Sequence, residues 1–260
     1  MRVSTQATLL CALACACATT TPSAAQAPAA QPPAGVRIAT ATPAVAAAPK
    51  FTFILFWKEN NPTTQAMHDT LKRSIEARSQ RAEWVSVNIN DGSQRPLVDR
   101  YRVERAPMPM VICVAPNGAV TGGFPRQIND AVIEKALITP GMTEATKALQ
   151  EKRIVVIHAK RDPRLALPAG AAGFAADPSF KDRTTIVNVG LDDPAEARFV
   201  REMEFKPEEL SDSMIVVLAP PGVLVGKYQS TVAMDQIATD LHAAGKCCND
   251  PNCKHNKKAQ

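Results

Sequence analysis

The densest group of reactive side chains lies at the C-terminal end of the chain. Cys247, Cys248, Cys253 and His255 supply three thiols and one imidazole within nine residues. Four soft or borderline ligands match a closed Zn²⁺ site in number, and thiolates also hold Cu(I). Adjacent cysteines strain tetrahedral geometry, so two alternatives stay open. One is a disulfide from Cys247 or Cys248 to Cys253 with a spare thiol, and the other is a redox-active or intermolecular disulfide.

The other groups that could do chemistry are isolated in the sequence. Cys113 lies in an apolar run, where a thiol packs as a small hydrophobe and is held protonated. His158 also lies in an apolar run, without a carboxylate or cysteine at an informative spacing, which favours a core residue. The chain contains no Gly-rich phosphate loop, no Gly-x-Ser-x-Gly and no His-Glu-x-x-His. This lack of a catalytic constellation favours a non-enzymatic role.

One unit occurs twice along the chain, at an offset of about 102 residues. The run Val111–Val120, which contains Ala-Pro-Asn-Gly, returns as Ile215–Leu224, which contains Ala-Pro-Pro-Gly. Upstream, the apolar run Phe51–Lys58 is matched by Arg153–Lys160, and a third strand-like run between them also has its copy. Three such runs in one order and at one spacing indicate duplicated domains.

The residue periodicity predicts an α/β fold for both copies. Continuous apolar runs predict strands buried on both faces, and residues at helical spacing such as Met67, Leu71 and Ile75 predict the intervening helices. The predicted order is βαβαββα, with a hairpin at the Pro-x-Gly turn and a central mixed sheet flanked by helices. The expected segments are a signal peptide (1–25), an Ala/Pro-rich spacer (26–49), a first domain (50–140), a connecting helix (141–152), a second domain (153–245) and a Cys/Lys-rich tail (246–260).

The N-terminal residues predict export from the cytoplasm. Arg2 is followed by a short apolar run and then by small residues that include Ser23, Ala24 and Ala25, the pattern of a cleaved signal peptide. Lipidation of Cys15 is the alternative, and it would anchor the protein to a membrane. The following spacer, rich in Ala, Pro and Thr, predicts a disordered tether. The expected location is periplasmic or secreted, either free or as a lipoprotein.

Composition argues against two classes of ligand. The formal net charge is +5, and no basic stripe interleaved with aromatic residues supports nucleic-acid binding. Aromatic residues make up 5% of the chain, which argues against a carbohydrate-stacking site. We therefore expect the partner to be another exported protein.

The predicted element order resembles that of the thioredoxin fold, and local motifs in the first copy extend the resemblance. Phe56–Glu59 resembles the Phe-Trp-Ala-Glu run before the family's active site, and Tyr101–Val103 resembles the Tyr-x-Val segment before its cis-proline. Pro109 stands nine residues before Gly118, the spacing seen in thioredoxin-like reductases of the cell envelope. The resemblance therefore implies two tandem thioredoxin-like domains and a cis peptide bond at Pro109.

The residues at the family's active-site positions depart from its Cys-x-x-Cys motif. An ungapped alignment places Asn61 and Thr64 at the two cysteine positions, and a shift of one residue places Asn60 and Thr63 there. An amide and a hydroxyl cannot cycle as a redox pair, and the second copy has no cysteine at this place either. The emptied active-site region then predicts a shallow partner-binding surface. Its candidate residues are Trp57, Asn60, Asn61, Pro62 and Pro109.

Two functions follow as expectations. The first is an exported, redox-inactive thioredoxin-like protein that acts as a protein-binding or scaffold module. The alternative moves the chemistry to the tail, where Cys247, Cys248, Cys253 and His255 would handle thiol–disulfide exchange or bind Zn or Cu.

Overall fold

The computed structural model describes residues 49–205 and 212–246 of the chain. It contains two four-stranded mixed sheets, each flanked by helices, which confirms the predicted α/β architecture. No helix in these two ranges is long and apolar enough to cross a membrane. The signal peptide, most of the spacer and almost all of the tail lie outside the described residues.

The first half of the described chain follows the predicted βαβαββα order. β1 is the central strand of its sheet, parallel to β2 and antiparallel to β3, and the strand order is β2-β1-β3-β4. The elements are β1 (Phe51–Trp57), α1 (Pro62–Glu76), β2 (Ala82–Asn88), α2 (Arg95–Tyr101), β3 (Met110–Val114), β4 (Val120–Pro125) and α3 (Asp130–Ala136).

The second half repeats this order behind one additional helix. Its central strand β5 is parallel to β6 and antiparallel to β7, and the strand order is β6-β5-β7-β8. The elements are α4 (Pro140–Gln150), β5 (Ile154–Lys160), α5 (Ala169–Ala176), β6 (Thr184–Gly190), α6 (Ala197–Glu202), β7 (Ser213–Ala219), β8 (Val223–Gln229) and α7 (Met234–Lys246).

Each central strand is buried on both faces, because helices cover both sides of each sheet. In β1, Phe53 and Leu55 pack towards α1 and α3, whereas Ile54 and Phe56 pack towards α2. This period-two alternation places every second side chain in a different core. It explains why the strand reads as a continuous apolar run and not as an alternating one.

The two hairpins confirm the turns predicted from the Pro-x-Gly motifs. Gly118 has a φ of 85° and Gly222 a φ of 140°, a backbone region that side chains with a Cβ rarely adopt. Each strand pair also shifts register just before its turn, between Cys113 and Val114 in the first sheet. The second sheet shifts at the equivalent place. The repeat therefore extends to a matching irregularity of the backbone.

Helix α4, in the segment expected to connect the domains, packs on the second sheet. Thr139 caps its first turn by accepting a hydrogen bond from the Met142 amide at 3.3 Å. Ala145 and Ala148 are buried in a core shared with β5 and β6. The helix thus contributes apolar surface to the second half in addition to joining the two.

Polar contacts hold the two halves together. The Gln150 side chain of α4 donates to the Val120 carbonyl at 2.7 Å and accepts from the Val120 amide at 3.0 Å. The side-chain amide thus makes the pair of backbone hydrogen bonds that a neighbouring strand would make with β4, which is an edge strand of the first sheet. Asn117 donates to the Thr143 carbonyl at 2.9 Å. The two sheets are therefore joined by contacts beyond the chain connection itself.

Candidate partner-binding site

Hydrogen bonds cap the start of α1 at the positions that align with the Cys-x-x-Cys motif. Asn61 is the N-cap, and its side-chain oxygen accepts from the Thr64 amide at 3.0 Å. Pro62 opens the helix, where its missing amide hydrogen costs nothing. The buried Thr64 hydroxyl donates to the Glu59 carbonyl at 2.8 Å and holds the preceding loop. These residues therefore cap the first turn of α1 and hold the loop that precedes it.

A hollow of about 450 Å³ lies between the end of β1 and the first turns of α1, and we call it the Trp57 hollow. The half-buried Trp57 lies along it, and its indole N–H donates to the Ser86 hydroxyl on β2 at 2.8 Å. Gln65 donates to the Asn60 side-chain oxygen at 3.3 Å. An aromatic face beside two exposed amides can pack against an apolar side chain and bind a backbone group.

The helix wall of the hollow adds a histidine and a carboxylate. The ring of His68 meets Trp84 edge-on, with centroids 4.9 Å apart. Its Nδ1 lies 3.1 Å from the exposed Asp69 carboxylate. No local pattern joins His68 to Trp84 and Ser86, because these two residues lie on β2. The register that pairs Leu55 with Ser86 places Trp84 and Ser86 on the side of the sheet that packs against α1.

The five predicted surface residues do not form one patch. Trp57 and Asn60 line the Trp57 hollow, whereas Pro62 lines a separate hollow of about 370 Å³ beside Arg126. Asn61 is exposed at the helix start between them. Pro109 is buried, and its carbonyl accepts from the Arg126 amide at 2.7 Å. Its contribution is to hold the neighbouring loop, since little of its own ring reaches the surface.

The strand order of each half assigns the fold. The Met108–Pro109 bond is cis, as the resemblance implies. Each half places its first strand in the centre, parallel to the second and antiparallel to the third, with a hairpin to the fourth. The two halves are thioredoxin-like domains. The Pro220–Pro221 bond in the second domain is also cis, at a turn where the sequence analysis made no such prediction.

The sequence matches no protein-family profile and no curated protein. Among solved structures, one match is to the first two thioredoxin domains of Saccharomyces cerevisiae Eps1p. The alignment covers 74% of this chain and 91% of the Eps1p chain, with 10% sequence identity and a TM-score of 0.29. Human ERp44 is 14% identical over 76% of this chain and 54% of that chain, with a TM-score of 0.34. The Drosophila melanogaster thioredoxin Deadhead is 17% identical over 34% of this chain and 78% of that chain, with a TM-score of 0.28. These scores are low, so the assignment depends on the strand order of this chain.

The single cysteine among the described residues is part of the first core. Cys113 is fully buried on β3, and its thiol lies 4.0 Å from the Ala136 carbonyl. Burial raises its pKa from the ordinary value of 9.0 to about 12. The thiolate, which is the nucleophilic form, is therefore scarce at neutral pH.

The second thioredoxin-like domain buries a histidine where the first has Phe56. His158 is 1% exposed, and its Nε2 lies 2.7 Å from the Ser213 hydroxyl. Burial lowers its pKa, the positive charge of Lys160 lowers it further, and a hydrogen bond with Asn188 opposes both. This environment confirms the expectation of a hydrogen-bonded core histidine.

The candidate metal ligands of the tail, Cys247, Cys248, Cys253 and His255, lie outside the described residues. Within residues 49–205 and 212–246, no group of three or more His, Cys, Asp or Glu side chains is placed to hold a metal ion. Helix α7 ends at Lys246, directly before the first of these cysteines. The sequence therefore remains the basis for any metal chemistry at this end of the chain.

Proposed function

We propose that this protein is an exported, redox-inactive thioredoxin-like protein that binds a partner protein through the Trp57 hollow. The observation that carries the proposal is the chemistry at the start of α1. A thioredoxin-type reaction needs a thiolate there, and this chain has Asn61, whose side chain caps the helix. We therefore assign the thioredoxin-like fold of this protein to partner binding and not to redox catalysis.

Several features of the hollow support its use for binding. Trp57 is held in one orientation by its bond to Ser86, so little side-chain entropy is lost when a partner packs on it. Trp is enriched among the residues that dominate binding energy at protein interfaces. Asn60 and Gln65 are exposed beside it and can donate to a partner's backbone. The volume of about 450 Å³ accommodates a few side chains of a partner.

Export is the second part of the proposal, and it is supported by the N-terminal sequence alone. The pattern after Arg2 predicts cleavage near Ala25 and release to the periplasm or the medium. If Cys15 is lipidated instead, the mature protein stays at a membrane surface. Fractionation of expressing cells, followed by mass measurement of the mature N-terminus, distinguishes the two routes from cytoplasmic retention.

An insulin-reduction assay tests the redox part of the proposal. The mature chain with Cys247, Cys248 and Cys253 replaced by Ser is expected to show no turnover with dithiothreitol above the rate of the reductant alone. An active thioredoxin in the same plate serves as the positive control. Turnover by the serine variant would contradict the proposal, because it would place redox chemistry inside the domains.

Site-specific crosslinking tests the binding part. A photo-crosslinking amino acid at Asn60, inside the hollow, is expected to capture a defined partner in expressing cells. The same group at Glu76, exposed at the other end of α1, is the matched control. Trp57→Ala is expected to remove the Asn60 crosslink, and circular dichroism checks that the variant is folded, because Trp57 packs on the first core. Equal capture from both positions, or capture that is indifferent to Trp57→Ala, would refute the hollow as the binding site.

The alternative function is favoured by one specific observation, the three thiols and one imidazole that follow α7. In this proposal the tail binds Zn or Cu, or carries a thiol pair, while the domains hold the partner. Elemental analysis of protein purified without chelators is expected to find about one metal ion per chain. The triple Ser variant of Cys247, Cys248 and Cys253 is expected to lose that ion. Equal metal content in parent and variant would reject this function.

A further inference from the structure

A cavity of about 440 Å³ lies at one end of the second domain, and we call it the basic pocket. It is found where β5 and β6 begin, beside the turn between β7 and β8 and the last turns of α7. Its volume is within the range of sites that bind small molecules. The base of the pocket is apolar, and three side chains that can donate hydrogen bonds to an anion surround it. The base includes Ile154, Pro220 and Leu241, and the three donors are Lys152, Arg183 and His242.

The three donors are not neutralised by carboxylates of the described chain. None of them forms an ion pair with another described residue, and no carboxylate in the described ranges lines the pocket. The acidic residues close to them in sequence have other partners. Glu151 pairs with Lys147 at 3.1 Å, and Asp240 accepts from the Tyr228 hydroxyl at 2.9 Å. The pocket therefore keeps its positive charge.

One buried aromatic ring positions two of the donors. Phe180 is 6% exposed and stacks on Phe174, with ring centroids 4.5 Å apart. The guanidinium carbon of Arg183 lies 5.4 Å from the centroid of the Phe180 ring, in a cation–π contact. The His242 ring lies 6.4 Å from the same centroid. Because Phe180 is fixed in the core, both donors are held at one pocket before any ligand binds, which lowers the entropic cost of binding.

The charge and shape of the pocket select a phosphate monoester with an apolar organic part. Lys152 and Arg183 carry two positive charges, and the C-terminal end of α7 offsets only about half a charge. A phosphate monoester carries about −1.5 to −2 charges at neutral pH and has three strong acceptor oxygens. Arginine binds phosphate through two parallel hydrogen bonds. The apolar base offers a surface that inorganic phosphate would leave uncovered and that an apolar group attached to the phosphate would cover.

We propose that the basic pocket binds a phosphate monoester whose organic part is apolar. The phosphate lies against the three donors, and the organic part packs on the apolar base. The basic pocket belongs to the second domain, whereas the Trp57 hollow belongs to the first. The proposal therefore does not rest on the function proposed for that hollow.

The test titrates the full mature chain, labelled with ¹⁵N, with phenyl phosphate and follows the amide chemical shifts. Saturable shifts are expected at Arg183 and Gly245 but not at Asn60 in the Trp57 hollow, with a dissociation constant of about 1 mM or lower. Phenyl sulfate has the same shape but a single negative charge, so it is expected to bind about tenfold more weakly. Inorganic phosphate is also expected to bind about tenfold more weakly, because it lacks the apolar part.

Matched variants locate the binding. Arg183→Ala is expected to weaken the binding of phenyl phosphate at least about tenfold. Lys181→Ala removes an exposed charge from the same turn but outside the pocket, and it is expected to have no effect. A Cβ at Gly245, which lines the pocket, would meet no atom within 4 Å. Gly245→Phe is therefore expected to fill the pocket and block binding, whereas Ala243→Phe, exposed on the same helix outside the pocket, is expected to bind normally.

Four results would overturn the proposal. Shifts that do not saturate would show only screening of surface charge. Equal binding to the Arg183→Ala and Lys181→Ala variants, with both folded by circular dichroism, would place the ligand elsewhere. Equal affinity for phenyl phosphate and phenyl sulfate would contradict the selection of a dianion. Equal affinity for phenyl phosphate and inorganic phosphate would contradict the role of the apolar base.

Vesicles distinguish two sources of this ligand chemistry. Phosphatidic acid has a phosphate monoester as its headgroup, so it is tested in phosphatidylcholine vesicles by sedimentation of the full mature chain. Sedimentation that requires phosphatidic acid and is lost in Arg183→Ala would identify a lipid headgroup as the source. Saturable binding of phenyl phosphate without sedimentation would identify a free phosphate ester. Absence of both would reject the site.

Discussion

The thiol of Cys113 is expected to be almost inert in the folded protein. Burial raises its pKa from 9.0 to about 12, so the thiolate fraction at pH 8 falls by about a thousandfold. Because alkylation requires the thiolate, its rate constant is expected to fall by a factor of that order. The complete burial of the side chain adds steric protection in the same direction.

The assay is alkylation by iodoacetamide, followed by mass spectrometry, in a mature chain whose tail cysteines are replaced by Ser. The reference is the same chain with Cys113→Ala and Ala66→Cys, which places a thiol at an exposed position of α1. We expect the Cys113 rate constant to be about a thousandfold lower than the reference at pH 8. It is also expected to rise about tenfold per pH unit between pH 7 and 10, without levelling off.

Denaturation provides the control for this prediction. In concentrated urea the two thiols are expected to react at similar rates, since burial is then lost. A native Cys113 rate within tenfold of the reference, at unchanged stability, would refute the reasoning. It would show that the thiol is accessible and ionised, and it would reopen redox chemistry within the first domain.

Three further predictions concern packing, titration and domain contact. Gly170→Ala is expected to destabilise the protein by about 1–3 kcal/mol in urea unfolding, because a Cβ there would lie 2.0 Å from the Val232 carbonyl oxygen. Gly173→Ala on the same helix is the control, and it is expected to be neutral or stabilising because the nearest atom to its Cβ would lie at 3.5 Å. An equal loss of stability in both variants would refute the close approach at Gly170. The lowered pKa of His158 means that the unfolded chain binds the proton more tightly, so this residue's contribution to stability is complete above about pH 6.5 and is lost as the pH falls below it. Urea unfolding from pH 7.5 to 5 is expected to show this loss in the parent and in His68→Gln but a smaller one in His158→Phe, and identical pH profiles would contradict it. Gln150→Ala is expected to speed hydrogen exchange of the Val120 amide and to cost about 1–2 kcal/mol, because two hydrogen bonds between the domains are removed. Gln127→Ala, at an exposed position of the first domain, is the control, and unchanged exchange in Gln150→Ala would show that the amide pairing is not maintained in solution.

Much of the fold is predictable from local patterns in this chain. The repeated apolar runs predict the strands because a strand covered on both faces, such as β1, needs an apolar residue at every position. The turns at Gly118 and Gly222 are predictable because a positive φ selects glycine. The absence of a redox thiol at the start of α1 is a matter of composition alone.

The candidate sites depend on distances that no local pattern contains. The five predicted surface residues separate into two hollows and a buried proline because α1 lies between them. Ser86 and His68 join the Trp57 hollow only through strand register and helix docking.

The sequence by itself determined the duplicated architecture, the apolar strands and the absence of cysteine at the start of α1, because each follows from residue type and spacing along the chain. The tertiary structure decided which side chains share a cavity and how the two domains join. Contacts such as Gln150 with Val120 and Arg198 with the Glu134 carbonyl link residues of different domains. Their formation depends on how each helix docks on its sheet, and that docking results from burial summed over the whole molecule and not over any single segment.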